Sequence, residues 1–164
     1  MSYVFKTMQS PMGELKLVAS DKGLAAVLWE NDDPQRVRLG TMTRDDGHAV
    51  LREVERQLGE YFAGRRRVFE LPLDMAGTAF QRSVWGELLK IPFGETRSYG
   101  QLAARLGNPK AMRAVGAANG RNPVSIIAPC HRVIGSNGTL TGFAGGLACK
   151  EWLLKHEGGA KVAP

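Results

Sequence analysis

A cysteine and a histidine stand side by side at Cys130 and His131, in the run Pro129-Cys130-His131-Arg132-Val133. A thiol attacks well only as thiolate, and an ordinary cysteine with a pKa near ~8.5 is mostly protonated at neutral pH. An imidazole within reach, directly or through one water, takes that proton. A carboxylate on the far ring nitrogen then holds one tautomer and stabilises the charged ring. Only Glu151 and Glu157 follow Glu95 in the chain, so the third member of such a relay is one of those two. Adjacency alone more often marks a buried structural cysteine beside a satisfied histidine, so the motif needs support from its surroundings.

Charge supplies part of that support. Residues 1–76 carry 11 Lys and Arg against 12 Asp and Glu, while residues 77–164 carry 11 against 4. Between Glu95 and Glu151 no acid occurs, but Arg97, Arg105, Lys110, Arg113, Arg121, Arg132 and Lys150 do. Positive charge confined to one half suits a polyanionic partner for that half, with a solvated basic face as the plainer alternative. The two cysteines, Cys130 and Cys149, form no disulfide framework and fit a reducing cytosol. Residues 1–129 contain no cysteine and one histidine, His48, which excludes a cysteine-rich zinc site. With 43% apolar residues and a mean hydropathy of −0.21, the chain reads as globular, and no apolar run reaches the ~18 residues of a membrane span. Its opening residues lack the basic-then-apolar layout of a signal peptide, so a cytoplasmic location is expected.

The elements that must position these groups fall into two parts, 1–76 and 77–164. Residues 3–9, 14–20 and 23–30 read as strands of an antiparallel meander, turned at SPMG and SDKG. A polar connection with room for one helical turn follows. A helix is expected over 47–62, with Leu51, Val54, Leu58, Tyr61 and Phe62 at helical spacing and Gly64 ending it. In the second part Thr78 caps a helix to about Lys90, whose apolar face is Phe80, Val84, Trp85, Leu88 and Leu89. Ser98 caps the next helix, and Pro109 suits the opening turn of the one after Gly107 and Asn108. This is the helix-turn-helix pattern, here inside the acid-free segment. Ala111, Ala114, Gly116, Ala117 and Ala118 leave its second helix nearly bare around Arg113, able to approach another surface closely. A glycine- and threonine-rich loop, SNGTLTGFAGG, precedes a last helix that ends on Gly158. The fold class is α+β: a small N-terminal antiparallel sheet with a helix, then a mainly helical, winged-helix-like C-terminal domain.

Five segments carry a resemblance. Arg97-Ser98-Tyr99-Gly100-Gln101, Arg113-Ala114-Val115-Gly116, Asn122-Pro123-Val124, Pro129 to Val133 and KEWLLKHEG at 150–158 occur in the order and spacing of the O6-alkylguanine–DNA alkyltransferases. The chain resembles that family at motif level over roughly residues 78–158, and over the first 76 in layout only. The resemblance implies that Cys130 accepts the alkyl group, that His131 is its base acting through water, and that Glu157 is the carboxylate behind the histidine. It makes Asn122 the hinge that ties the helix-turn-helix to the active-site turn. It makes Arg113 the finger that takes the place of an extruded guanine, and Tyr99 the residue beside the adjacent phosphate that protonates the departing base. Ser98, Ala114, Ala117, Ala118, Arg121 and Arg132 are implied DNA contacts. Val133, Phe143, Ala144 and Lys150 are the implied lining of the substrate pocket, with the carbonyls of Cys130 and Val133 accepting from the guanine amino group. Phe143 stands where many relatives have Tyr and Ala144 where some have Ser, which leaves the tolerated adduct size open.

The implied reaction is repair of O6-alkylguanine, with O4-alkylthymine as a second substrate, in double-stranded DNA by one-time transfer to Cys130. It requires no cofactor and no metal, and the protein is expected as a monomer, with clustering on DNA left open. Extrusion of the nucleotide costs a few kcal/mol because the target carbon lies inside the stack. A non-catalytic binder of alkylated DNA would lack Cys130. A cysteine hydrolase leaves the basic segment and Arg113 unexplained, and a plain helix-turn-helix regulator leaves the cysteine motif unexplained.

Overall fold

The computed structural model describes residues 2–135 and 143–158; of the expected loop over 136–146, residues 136–142 lie outside the described residues. The chain divides into two compact units, Met1–Ala76 and Gly77–Pro164.

In the first unit, strands β1 (Tyr3–Ser10), β2 (Gly13–Ala19) and β3 (Leu24–Trp29) form the antiparallel meander. The Ser10 hydroxyl donates to the Gly13 carbonyl at 2.7 Å and closes the first turn. The polar connection holds a fourth strand, β4 (Met42–Arg44), where a helical turn had room; it pairs parallel with β1 and gives the sheet order β3-β2-β1-β4. Helix α1 (Ala49–Phe62) turns Leu51, Val54, Leu58 and Tyr61 inward against the sheet.

The second unit carries the motifs. Helix α2 (Ala79–Leu88) opens with a reciprocal cap in which Thr78 accepts from the Gln81 N–H and Gln81 accepts from the Thr78 N–H. Its buried face is Val84, Trp85 and Leu88, narrower than the sequence suggests. Phe80, in the first turn, and Leu89, already the cap residue, remain exposed at 39% and 43%. Strand β5 (Arg97–Ser98) leads into helix α3 (Tyr99–Arg105), which Ser98 and Gln101 cap in the same reciprocal way. Helix α4 (Met112–Gly120) begins later than Pro109. Gly107 takes a left-handed φ of 79°, and the Ala111 N–H closes a turn on the Asn108 carbonyl, so Pro109 belongs to the connection. Strand β6 (Val133–Ile134) pairs parallel with β5, and helix α5 (Leu147–Glu157) ends at Gly158 with φ 73°. That left-handed cap favours glycine because a Cβ would crowd the carbonyl. None of the helices among the described residues is long and apolar enough to cross a membrane.

Trp85 ties α2 to α4. The ring is 1% exposed, and its Nε1–H donates to the Ala118 carbonyl at 2.8 Å. Trp85→Phe keeps most of the apolar contact and removes this donor. Unfolding in urea is expected to show a loss of about 1–2 kcal/mol, the worth of a buried hydrogen bond with some lost packing.

Candidate active site

The chain between α4 and the cysteine is a closed ring. Asn122 accepts the Val124 N–H on Oδ1 at 3.1 Å and donates from Nδ2 to the Ala128 carbonyl at 2.7 Å. The Ala128 N–H bonds the Val124 carbonyl at 2.9 Å, and the Cys130 N–H bonds the Ala128 carbonyl at 2.8 Å. Within the ring Ile126 holds a φ of 75°, a left-handed value that costs a β-branched residue of order 1–3 kcal/mol. Asn122, buried at both ends of the turn, over-determines that conformation. The ring delivers Pro129 into a single 3-10 turn over Cys130–Arg132.

In that turn Cys130 is 5% exposed and His131 fully buried. His131 Nε2 lies 2.7 Å from Glu157 Oε2, on the last turn of α5. Hydrogen bonds from His131 and Arg132 hold the Glu157 carboxyl well below the usual carboxylate range, although burial alone would push it up. An ionised carboxylate accepts, so Nε2 carries the proton and Nδ1 is left with its lone pair. Nδ1 is buried and has no hydrogen-bond partner among the described residues. Burial pushes the imidazole below its ordinary value against the upward pull of Glu157, and Arg132 and Lys150 add to the lowering. At neutral pH the ring is therefore an uncharged base.

Lys150 is fully buried and donates from Nζ to the Val133 carbonyl at 2.6 Å. Burial pushes its ammonium down to about 8, against the opposing pull of the Cys130 charge. The structure thus brings together Cys130, His131, Val133, Lys150 and Glu157, with Asn122 behind them. Phe143 and Ala144 open the turn into α5, the Phe143 carbonyl accepting the Gly146 N–H and Ala144 exposed. Cys149 is half-buried, and burial pushes its thiol up, as suits a structural residue.

The opposite character appears on α4. Arg113, Ala114 and Ala117 are exposed there, as are Met112 at 47% and Arg121. Tyr99, half-buried at the start of α3, stands over Gly116, where an added Cβ would lie 3.8 Å from the ring. Ser98 is committed to its cap.

Two expected DNA contacts are corrected. Ala118 is 3% exposed and faces Trp85, because successive small residues put alanine on both sides of α4. Arg132 is 6% exposed and faces inward, its Nε and Nη2 on Glu157 at 2.8 and 3.0 Å and its Nη1 on the Ile91 carbonyl at 2.6 Å. With Lys150 also buried, five of the seven basic side chains of the acid-free segment stay outside: Arg97, Arg105, Lys110, Arg113 and Arg121. Sequence reasoning did not find Ile91, since a carbonyl acceptor has no residue type, nor Ile126, whose strain is a property of backbone alone.

Residues 79–159 match the family model "6-O-methylguanine DNA methyltransferase, DNA binding domain", and residues 3–75 match "6-O-methylguanine DNA methyltransferase, ribonuclease-like domain". The methylated-DNA–protein-cysteine methyltransferase of Methanosarcina acetivorans is 47% identical over 94% of this chain and 97% of its own length. The chain belongs to that family. The Salmonella typhimurium member is 48% identical over 91% of this chain and 92% of its own. Among solved structures, O6-methylguanine methyltransferase of Mycobacterium tuberculosis superposes with a TM-score of 0.85 at 44% identity, covering 99% of this chain and 96% of that one. The M. tuberculosis protein in complex with DNA gives 0.86 at 44% identity, covering 96% and 92%. A Pyrococcus kodakaraensis member, 19% identical with a TM-score of 0.56, shares the fold.

The carboxylate and imidazole make a prediction about stability. Both folded values lie below the unfolded ones, so both groups favour the folded state at high pH and lose that contribution on acidification. The His131 part fades as pH falls below about 6.5 and the Glu157 part below about 4.3, their ordinary values. Unfolding free energy measured by urea at a series of pH values is expected to fall in these two windows. Glu157→Gln should flatten the lower one, and should cost about 3–5 kcal/mol near neutrality because it strands buried Arg132.

Proposed function

We propose that this protein repairs O6-alkylguanine in double-stranded DNA by moving the alkyl group to its own Cys130. One observation carries the reading: a buried cysteine beside an imidazole whose Nε2 is engaged by an ionised carboxylate and whose Nδ1 keeps its lone pair. The thiol proton passes to Nδ1, through a water as the relay chemistry allows. The thiolate attacks the alkyl carbon, the carbon–O6 bond breaks with its electron pair on the base, and guanine leaves on taking up a proton, with Tyr99 as the donor. A thioether offers no group that water readily displaces, so each molecule acts once. O4-alkylthymine is a second substrate of the same chemistry. The residues of the chain suffice for these steps, and the two free cysteines suit a reducing cytoplasm.

DNA is held by the outward charges. Arg97, Arg105, Lys110, Arg113 and Arg121 offer phosphate contacts, and Ala114 and Ala117 let α4 enter a groove without obstruction. Because the alkyl carbon lies inside the stack, the nucleotide is flipped, and Arg113 fills the space it leaves. Lys150, Val133, Phe143 and Ala144 border the pocket that receives the base. Asn122 holds the cysteine turn to the end of α4.

Intact mass after incubation with duplex containing O6-methylguanine tests the reaction. A gain of one methyl per chain is expected, retained in Cys149→Ser and absent in Cys130→Ser, which should still bind the lesion. Methyl transfer that survives Cys130→Ser overturns the assignment.

Arg113 has its own test. As an occupant of the flipped guanine's place, Arg113→Ala should slow transfer on duplex by about ten- to a hundredfold while changing transfer from the free alkylated base little, since no stacking must then be replaced. Arg113→Lys should not restore the duplex rate, because lysine lacks the flat guanidinium. A variant equally slow on both substrates places Arg113 in the fold or the chemistry instead.

A further inference from the structure

Arg132 is in direct contact with the relay carboxylate, and no step above uses it. Its side chain joins three segments of the second unit. It stands on the 3-10 turn beside His131, its Nε and Nη2 engage both oxygens of Glu157 on α5, and its Nη1 donates to the Ile91 carbonyl just after α2. The Phe93 ring lies beneath the guanidinium, 5.8 Å from its carbon. Glu157 Oε2 thus receives two donors, Arg132 Nη2 at 3.0 Å and His131 Nε2 at 2.7 Å, while Oε1 receives Arg132 Nε at 2.8 Å.

We propose that Arg132 is a positioning residue for alkyl transfer, locking Glu157 and through it the His131 ring, and offsetting the carboxylate charge so that His131 rests neutral.

Two consequences of the contact set support this. First, a carboxylate held by a single imidazole can rotate about its terminal bond, and the ring follows. A planar fork spanning both oxygens, itself tethered to a backbone carbonyl, removes that freedom. The orientation of the imidazole is then set by three fixed bonds instead of one. Second, a buried carboxylate with no other counter-charge would hold its imidazole as imidazolium, which has no lone pair to accept a proton. The charged and titratable groups that face His131 are Glu157, Arg132, Lys150 and the neighbouring Cys130. Glu157 pulls the ring toward the cation, whereas Arg132 and Lys150 oppose it. The guanidinium is the one of these two cations that touches the carboxylate itself.

The proposal rests on the relay reading of Cys130, His131 and Glu157, so Glu157→Gln is measured in parallel. Transfer from the free base O6-methylguanine, followed by intact mass as a function of pH, keeps DNA binding out of the measurement. Arg132→Lys retains a buried cation and loses the fork. It should slow transfer by about ten- to a hundredfold with the acid limb of the pH profile little moved. Arg132→Met removes the charge as well, and its acid limb should move up by about one unit, because the unshared carboxylate favours imidazolium. A purely structural role would lower thermal stability and move neither the rate of folded protein nor the profile. An Arg132→Lys protein that is folded at the assay temperature and transfers at the wild-type rate overturns the proposal, whether or not Arg132→Met folds. If Glu157→Gln also leaves rate and profile unchanged, the relay itself fails. If Glu157→Gln slows transfer and Arg132→Lys does not, only the role of Arg132 fails.

Discussion

Glu157 is a carboxylate taken out of water, and the second unit is organised around what that requires. Removing an ion from water costs several kcal/mol even after relaxation, and attraction in the interior offsets this only when geometry is good and the remaining lone pairs are filled. Here two donors come from Arg132 and one from His131, so both oxygens are engaged. The three residues lie on two short segments that sequence separates by 25 positions. Helix α5 must therefore dock with its last turn against the cysteine turn, and the left-handed cap at Gly158 ends the helix just beyond that contact.

The cysteine turn is fixed from its other side by hydrogen bonds of a different kind. Asn122 uses both ends of its amide on backbone groups four residues apart, which an ionised carboxylate could not do, since one end must accept and the other donate. The left-handed Ile126 is held inside this ring, and its strain is sustained because the ring is closed by four bonds. Trp85 then fastens α4, from whose end Asn122 departs, to α2. His131, Cys130 and the helix carrying Arg113 thus belong to one mechanically connected set.

Much of this was legible in residue types. Strand segments bounded by turn signals, the capping residues Thr78 and Ser98 and the α1 periodicity are local signals, and each produced the expected element. What failed was non-local. β4 is three residues long and exists through parallel pairing with β1, a partner some 39 positions earlier in the register Tyr3 to Met42. Arg132 read as a DNA contact because an arginine in a segment without acids has no visible partner; its partner lies on a helix that only folding brings near. Ala118 was misassigned for a related reason. A helix made of alanine and glycine shows no contrast between faces, so the buried and open sides of α4 look alike until Trp85 marks one of them. The cysteine and the histidine were accessible because their chemistry restricts the choice of residue; the scarcity of acids narrowed the carboxylate to Glu151 or Glu157, and the resemblance pointed to Glu157.

The same scarcity of acids has a second effect. Seven basic residues lie between Glu95 and Glu151, and a chain that used them all as a surface would leave the buried carboxylate without a counter-charge. Two of them, Arg132 and Lys150, turn inward instead, one to a carboxylate and one to the Val133 carbonyl. The sequence of α4 itself contains no acid, and on the α3 side Arg105 pairs with Glu87 and Arg97 with Glu95. Charge in this segment is thus divided by burial into an inner part that sets the protonation of His131 and an outer part available to phosphate. The two are insulated from one another: exposed charges are screened by salt beyond about 8–10 Å, whereas the buried cluster is screened far less. Salt can therefore weaken the hold on DNA while leaving the protonation state of the relay nearly untouched.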